Sequence, residues 1–280
     1  MVSPRGLPVA LDLVNPGRSA VPGLSTVQRA GVGRAIVGAS DECRAAGRVP
    51  VVKTGPMTDA QPSADRRLAA QALAAGDPTG WFEPLYAEAA AGTSTVPWDR
   101  DVANPLLVDW LRTATPSRGT RAVVIGCGYG TDAEFVASQG IRTTAFDVSP
   151  TAIRGARARF PNSPVTYRVA DLLDPPPSWL HAFDLVIESI TVQSLPSDIR
   201  ARAITGIRDL LAPDATLLVI ADIGTTPGTT GPPWPLTRAD IDSFTTPDLA
   251  LVRVEAIPRP DVSGLRRWRA EFHRPPRAVD

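Results

Sequence analysis

The sequence predicts an α/β fold: a mostly parallel sheet of seven strands, with helices on both faces and an antiparallel hairpin at one edge. From Arg121 onward, short apolar runs alternate with segments whose apolar residues recur at helical spacing, as in a parallel sheet with crossover helices. The first runs are apolar almost throughout, as expected of strands buried on both faces. The last two runs alternate apolar and polar residues around a Pro/Asp/Gly turn, which predicts the hairpin.

Helical spacing predicts three helices before the sheet and four within it. They cover residues 64–75, 81–91, 104–113, 132–139, 150–160, 198–211 and 237–244, and a short structured segment lies near 177–180. The last helix has Thr237 as its N-cap, with Asp240 three residues on. The predicted strands cover residues 122–125, 142–147, 165–169, 184–188, 216–221, 249–257 and 265–273.

Composition divides the chain into four segments. Residues 1–56 contain no aromatic residue, are rich in Gly, Pro and small side chains, and carry seven cations against three acids. We expect them to be a disordered extension, or to precede a natural start at Met57. Residues 57–115 are predicted to be a helical arm or lid, residues 116–274 the α/β core, and residues 275–280 a tail.

The overall composition excludes several classes of protein. The formal net charge is 0, so no long-range field favours nucleic acid or a membrane surface. No apolar run approaches the ~18–20 residues of a membrane span. Two cysteines and two histidines make neither a disulfide framework nor a zinc site, and we expect no metal. The first residues do not form a signal peptide, so we expect a cytoplasmic protein, either a monomer or a weak homodimer.

A glycine cluster follows the first predicted strand. Gly126, Gly128 and Gly130 are spaced G-x-G-x-G, and a turn that carries backbone close to a ligand needs glycine where φ is positive. The dinucleotide fingerprint G-x-G-x-x-G would require a third glycine at Thr131, so that pattern fails. The unit of strand, glycine turn, helix and strand still predicts a site for a nucleoside-containing cofactor.

Asp147 ends the second strand of this unit, 19 residues after the central glycine, Gly128. A carboxylate at that place can accept both hydroxyls of a ribose. The structural alternative is a loop acid or an N-cap of the helix that begins near Pro150. We favour the ribose role because the surrounding strands and helix have the expected order.

These motifs resemble class I S-adenosylmethionine (SAM)-dependent methyltransferases, in which the G-x-G-x-G turn passes the amino-acid part of SAM. The likeness extends over residues 78–274. The acid Asp171 ends the third strand, at the place of the residue that contacts the adenine amine in such enzymes. Glu188 and Ser189 end the fourth strand, which faces the methyl group and the acceptor. The usual Pro-Gly-Gly turn before the fifth strand is replaced here by residues 212–215. The resemblance implies a Rossmann-like fold and SAM as cofactor.

The segment before the glycine turn resembles the thiopurine/thiol S-methyltransferase branch. Its markers are Trp81, the run Pro97-Trp98-Asp99, and Asn104-Pro105. In that branch, aromatic residues of the arm close over SAM, and a sulfonium over a Trp face gains ~0.5–2 kcal/mol. Simple packing of Trp81 and Trp98 against the core is the alternative. The residues that we expect to bind SAM are Trp81, Trp98, Gly126, Cys127, Gly128, Gly130, Asp147, Val148, Ala170, Asp171, Leu172, Glu188 and Ser189.

The resemblance implies transfer of a methyl group to a small-molecule acceptor, such as a thiol, a halide or another soft nucleophile. An acceptor of low pKa needs no base, whereas an amine or hydroxyl acceptor can need one. Glu188 is the candidate catalytic residue, and it would contact SAM, orient the acceptor or take a proton. The fourth strand lacks the Asp/Asn-Pro-Pro-Tyr motif of enzymes that methylate nucleic-acid amines, so we expect no nucleic-acid partner. The alternatives are an O- or N-methyltransferase, an NAD(P)-dependent oxidoreductase, and a non-catalytic SAM-binding protein.

Three further features are interpreted as structural rather than functional. Cys127 has no nearby His in sequence and is expected to pack as a small residue rather than act as a nucleophile. His181 precedes the fourth strand and is expected at the surface, away from the site. The run 266–269 alternates along the last strand, which indicates a solvated edge, with an anion contact as the alternative.

Overall fold

The computed structural model describes residues 63–117, 119–224, 231–259 and 264–276. Within these ranges the chain forms a seven-stranded sheet. Its strands are β1 (Arg121–Ile125), β2 (Arg142–Asp147), β3 (Thr166–Val169), β4 (Phe183–Ser189), β5 (Leu211–Asp222), β6 (Ala250–Pro258) and β7 (Arg266–His273). Their spatial order is β3-β2-β1-β4-β5-β7-β6. The first five strands are parallel, and β7 runs antiparallel to both β5 and β6.

Seven α-helices lie in the described ranges, and three of them begin at a side-chain cap. They are α1 (Ala64–Ala74), α2 (Phe82–Ala90), α3 (Pro105–Ala114), α4 (Thr131–Ser138), α5 (Pro150–Arg159), α6 (Ser197–Leu210) and α7 (Arg238–Asp242), with single 3₁₀ turns at Pro177–Trp179 and Val192–Ser194. The side chains of Asn104 and Ser149 accept backbone N–H groups at the starts of α3 and α5, and each is followed by proline. Thr237 and Asp240 form a capping box at α7.

The two faces of the sheet bury two separate apolar clusters. On β1, Val123 and Ile125 pack in one cluster, while Ala122 and Val124 pack in the other. This alternation is what a strand covered on both faces requires. Helices α1, α2 and α6 contribute to the first cluster, whereas α3, α4 and α5 contribute to the second. The apolar runs of the sequence are thus explained by burial on both sides.

The predicted fold class is confirmed: a mostly parallel sheet with an antiparallel edge hairpin and helices on both faces. The main departure is β5, which begins at Leu211, before the predicted residue 216. β4 pairs Phe183 with Leu211 and then Leu185 with Thr216, so residues 212–215 bulge out of the ladder. The predicted turn therefore exists as a bulge inside the strand, with Asp214 at a φ of 62°.

The remaining expectations concern membrane spans, metal sites and the division of the chain into segments. Among the described residues, no helix is both long and apolar enough to cross a membrane, and no group of His, Cys, Asp and Glu could hold a metal ion. The expectation for residues 1–56 lies outside the described residues. The division into an arm (57–115), a core (116–274) and a tail (275–280) stays a prediction.

Candidate active site

The glycine turn lies at the carboxyl end of β1, where open parallel sheets bind ligands. Gly126 and Gly128 have φ angles of 57° and 53°, which glycine adopts without strain. A Cβ on Gly128 would lie 2.8 Å from the hydroxyl of Tyr86, and one on Gly126 would lie 2.6 Å from Oγ1 of Thr191. The turn therefore requires glycine both for its conformation and for the close approach of its neighbours.

Asp147 closes β2 beside this turn, and its side chain is almost completely buried. Its Oδ2 accepts the backbone N–H of Gly128 and its Oδ1 accepts that of Ser149, each at 2.9 Å. Burial raises the pKa of this carboxyl to about 6, although the amide hydrogen bonds act in the opposite direction. Each oxygen keeps acceptor capacity beyond its single amide donor. The carboxylate also forms part of the wall of a cavity.

Two adjoining cavities open along this end of the sheet. The first extends from β1 towards β3, and the second extends from the glycine turn towards α3 and β7. Tyr86, Trp98, Gly126 and Ser189 line both of them. Together they have the mixed apolar and polar lining of a small-molecule site.

The first cavity has a mostly apolar lining that includes two acids. Phe82 and Leu172 contribute apolar surface, and Asp147 and Asp171 contribute carboxylates. Oδ1 of Asp171 accepts the backbone N–H of Leu173 at 2.8 Å. Of the thirteen residues predicted to bind the cofactor, the first cavity brings together Trp98, Gly126, Asp147, Val148, Ala170, Asp171, Leu172 and Ser189.

The second cavity is more polar than the first and surrounds the glycine turn. It adds Cys127, Gly128 and Gly130 to the predicted set. Asn104 bridges its far wall: its backbone N–H donates to Asp132 at 2.7 Å, and its Nδ2 donates to Ser189 Oγ at 3.1 Å. Burial raises the pKa of Asp132. Arg267 completes the wall; the sequence analysis favoured a solvated edge for this residue and gave an anion contact only as the alternative.

The aromatic residues of the arm take unequal places. Trp98 lines both cavities, and its Nε1 donates to the hydroxyl of Tyr86 at 2.9 Å. Trp81 lines neither cavity, is 1% exposed, and stacks on Phe82 with ring centroids 4.0 Å apart. The structure thus gives Trp81 the packing alternative, because α2 turns Phe82 rather than Trp81 towards the cavity. Tyr86, which also lines both cavities, was not predicted to bind the cofactor.

Glu188 was predicted to act at the acceptor, but its carboxylate is enclosed. The residue is 0% exposed and lines neither cavity. Its Oε1 accepts the backbone N–H groups of Thr191 and Val192 at 2.7 and 2.8 Å, and Oε2 has no protein partner in the described residues. Burial raises its pKa to about 7. This geometry speaks against proton transfer from an acceptor and makes Glu188 a support for the turn after β4.

The structure agrees with two of the three structural interpretations and contradicts the third. Burial raises the pKa of Cys127 well above its usual value, which fits a packing residue. His181 is exposed and precedes β4 at the opposite end of the sheet, as expected. The solvated edge expected for 266–269 is wrong: β7 lies between β5 and β6, so β6 takes the edge and Arg267 is only 4% exposed.

Comparison with known proteins decides the family. A profile described as thiopurine S-methyltransferase matches residues 90–263, which include the glycine turn, Asp147 and Asp171. The chain belongs to the thiopurine S-methyltransferase family. The resemblance drawn from the arm and the glycine turn is thereby confirmed.

Curated relatives of this family member match parts of its length. Thiocyanate methyltransferase 1 of Arabidopsis thaliana is 28% identical over 150 residues, 53% of this chain and 64% of that protein. Thiocyanate methyltransferase 1 of Brassica oleracea is 29% identical over 44% of this chain and 55% of that protein. The chain therefore spans between about half and two thirds of the length of these two relatives. Probable thiol methyltransferase 2 of Arabidopsis thaliana is 26% identical over 69% of this chain and 92% of that protein.

Solved structures share the fold of this family member. An N1-methyltransferase of Burkholderia thailandensis, solved with S-adenosylhomocysteine, has a TM-score of 0.55 and 18% identity, covering 78% of this chain and 93% of that one. An N-methyltransferase of Bradyrhizobium japonicum, also with S-adenosylhomocysteine, has a TM-score of 0.54 and 22% identity over 69% and 99%. At these identities the likeness concerns the Rossmann-like architecture alone.

Proposed function

We propose that the protein transfers the methyl group of SAM to a small-molecule acceptor whose nucleophilic atom is sulfur or another soft element. The observation that carries this proposal is the carboxylate of Asp147, held by two amides at the wall of the first cavity. An acid so placed, directly beside a glycine turn, is suited to the two hydroxyls of a ribose. Family membership and the two neighbours solved with S-adenosylhomocysteine support the same cofactor.

The lining residues fit SAM by chemistry. In the first cavity, Asp147 would accept hydrogen bonds from the ribose hydroxyls. Asp171 would accept a hydrogen bond from the adenine amine on Oδ2, because its Oδ1 already accepts the backbone N–H of Leu173. Phe82, Val148 and Leu172 would cover the faces of the adenine ring. The backbone of the glycine turn would pass the methionyl part in the second cavity, where side chains at Gly126 and Gly128 would meet Thr191 and Tyr86.

SAM supplies a methyl group already activated by its positive sulfur. A lone pair of the acceptor forms a bond to the methyl carbon, while the C–S bond breaks and its electron pair stays on the sulfur of S-adenosylhomocysteine. The protein therefore needs to align two groups and exclude water, and orientation alone can contribute up to ~7–11 kcal/mol. We infer that Trp98 and Tyr86, which line both cavities, close over the junction as the lid predicted from the arm.

The titratable residues of the cavities suit an acceptor of low pKa, because the carboxylates that line them all belong to aspartates, which are weak bases. In the described chain, the residues that line the two cavities include no His, Lys or Glu. A thiol, with an ordinary pKa of ~8.5, supplies thiolate near neutral pH by releasing its proton to water. Relatives named for thiocyanate and thiol methyl transfer support a sulfur acceptor.

An O-methyl acceptor is the second candidate. The ubiquinone biosynthesis O-methyltransferase of Xylella fastidiosa is 30% identical over 148 residues, 51% of this chain and 52% of that protein. A phenol would need to lose its proton, and the candidates near the junction are the carboxylates of Asp132 and Asp147. A cytoplasmic location and a monomeric or weakly dimeric state belong to the proposal on sequence grounds.

The test combines calorimetry with a screen for turnover. SAM and S-adenosylhomocysteine should bind, whereas NAD should not. Consumption of SAM should then be followed over matched thiols, halides, phenols and amines, and thiols should react fastest. Tight NAD binding, or binding of S-adenosylhomocysteine without turnover of any acceptor, would contradict the enzyme that we propose.

A further inference from the structure

Arg267, at the start of β7, is a buried cation whose hydrogen-bonding capacity is only partly used. Its side chain is 5% exposed, and its Nε donates to Oδ1 of Asp222 at 2.7 Å. Within the described residues, Nη1 and Nη2 donate no hydrogen bond, yet neither is a fully enclosed atom. Arg267 lines the second cavity, and we infer that these two nitrogens face it.

A network at the ends of β4 and β5 fixes the guanidinium in place. Asp222 accepts Arg259 as well as Arg267 on Oδ1, so one negative charge is shared by two guanidinium groups. Oδ2 of Asp222 accepts Nε2 of Gln193 at 3.0 Å, and Oε1 of Gln193 accepts the backbone N–H of Asp222 at 2.5 Å. The planar fork of Arg267 is thus oriented before any ligand arrives, as bidentate recognition of a carboxylate requires.

The sheet order places this cation far from the proposed partners of adenosine. Asp147 and Asp171, the proposed partners of adenosine, follow β2 and β3, whereas β7 lies beyond β1, β4 and β5. With strands about 4.8 Å apart, four steps separate β2 from β7 by about 19 Å. Asp132 lines the same cavity and interacts with the charge of Arg267, which opposes the rise in its pKa caused by burial, but the two form no ion pair in the described part of the chain.

We propose that Arg267 determines acceptor specificity by binding a carboxylate of the acceptor, so that the preferred substrates are small thiols that carry a carboxylate. This inference rests on the proposed function. In the reaction, the thiol first loses its proton to water. The thiolate sulfur then forms its bond to the methyl carbon while the carboxylate remains paired with Nη1 and Nη2, giving a thioether acid and S-adenosylhomocysteine.

The decisive experiment compares two thiols of equal length, 3-mercaptopropionate and 3-mercaptopropan-1-ol. In the wild type, kcat/KM should be at least tenfold higher for the acid, with the difference mainly in KM. Arg267→Gln should bring the ratio close to one, and Arg267→Lys, which keeps the charge beside Asp222, should leave an intermediate ratio. Arg266→Gln removes the same charge from the exposed neighbouring residue and should keep the wild-type ratio. Thermal melts establish that each variant folds.

Binding measurements separate this inference from the proposed function. Titration of 3-(methylthio)propionate, with and without S-adenosylhomocysteine, requires no turnover; binding to wild type that is lost in Arg267→Gln supports the carboxylate site. An equal preference for the two thiols, or no binding of the thioether acid, overturns it. A loss of S-adenosylhomocysteine affinity in Arg267→Gln comparable to the loss for the acid also overturns it, because Arg267 would then hold the methionyl carboxylate. Failure of the proposed function appears separately, as absent methylation of every acceptor.

Discussion

The backbone N–H of Gly128 donates to Oδ2 of Asp147 at 2.9 Å, across 19 residues of sequence. This hydrogen bond joins the turn that ends β1 to the acid that ends β2, two strands that pair in parallel along their whole length. The other oxygen of Asp147 accepts Ser149, which in turn caps α5. The glycine turn and the acid are therefore one rigid unit, and a change at Asp147 affects both proposed halves of the cofactor site.

Replacing Asp147 should weaken binding of S-adenosylhomocysteine. Asp147→Asn removes the charge and turns an NH₂ group towards one of the two amide donors. Hydrogen bonds to a charged group contribute ~1.5–3 kcal/mol, so the Kd should rise at least about tenfold. Calorimetry checks this, with Asp184→Asn as the control, because Asp184 pairs with Arg121 at the far end of β4. Unchanged affinity in Asp147→Asn would refute the ribose role.

The affinity for S-adenosylhomocysteine should also depend on pH. Burial raises the pKa of Asp147 to about 6, and the ionised carboxylate is the better acceptor for two hydroxyls. Binding therefore favours the ionised form, so affinity should increase as the pH rises through 6 and become constant above about 7. Calorimetry between pH 5 and 8 gives the profile. A flat profile in the wild type, or the same slope in Asp147→Asn, is the contrary result.

Most of the fold follows from the sequence, because hydrophobic periodicity reports burial directly. The runs that became β1 and β2 are apolar on both faces since α-helices cover both sides of the sheet. Asp147 was also predictable, since its distance from Gly128 is fixed by one helix and one strand. The bulge at residues 212–215 was not predictable from the sequence, because its extra residues are equally consistent with a turn until the pairing partner on β4 is known.

The errors in the site concern orientation. Trp81 and Phe82 are adjacent, and the rotation of α2 alone decides which ring meets the cavity. Glu188 ends β4 as predicted, but its side chain returns to the amides of the following turn. Arg267 was assigned to an edge because the sequence order makes β7 last, whereas the sheet places β7 inside β6. None of these facts is encoded in the local pattern of residues.

Glu188 should make the protein less stable as the pH rises. Its pKa is about 7 in the folded chain against an ordinary 4.5, so between these values the folded state binds more protons than the unfolded state. Stability from this group is complete below pH 4.5 and is lost as the pH rises through 7, by about 3 kcal/mol at most. Glu188→Gln keeps an acceptor for Thr191 and Val192 without the charge. Its free energy of unfolding should fall less than that of wild type between pH 5 and 8.

The same variant distinguishes support of the turn from catalysis. If Glu188 only holds the turn after β4, Glu188→Gln should retain at least about a tenth of the wild-type kcat, since one general base contributes ~10²–10⁴-fold. Denaturant titrations at pH 5 and pH 8 measure the change in stability, and turnover of one thiol measures kcat. A hundredfold loss of kcat in a folded variant would instead support the roles first predicted for Glu188, which were to contact SAM, to orient the acceptor or to take a proton.

A chain that begins at Met57 should bind S-adenosylhomocysteine as the full chain does. The residues that line the two cavities in the described structure extend from Thr79 to Arg267, and the sheet begins at Arg121. We expect Kd values within about twofold and similar melting temperatures. Calorimetry and thermal melts on both chains provide the comparison. A shorter chain that fails to fold would show that the segment 1–56 contributes to the core.

Trp98 should favour SAM over S-adenosylhomocysteine. The two ligands differ by a methyl group and a positive charge on sulfur, and Trp98 lines both cavities at their junction. A cation over an indole face gains ~0.5–2 kcal/mol, so Trp98→Leu should lower the ratio of SAM to S-adenosylhomocysteine affinity by about two- to thirtyfold. Trp110→Leu is the matched control: Trp110 is buried in the apolar cluster on the other face of the sheet and lines neither cavity, so its loss should lower the melting temperature without changing that ratio. Equal ratios in wild type and Trp98→Leu would leave Trp98 as a packing residue.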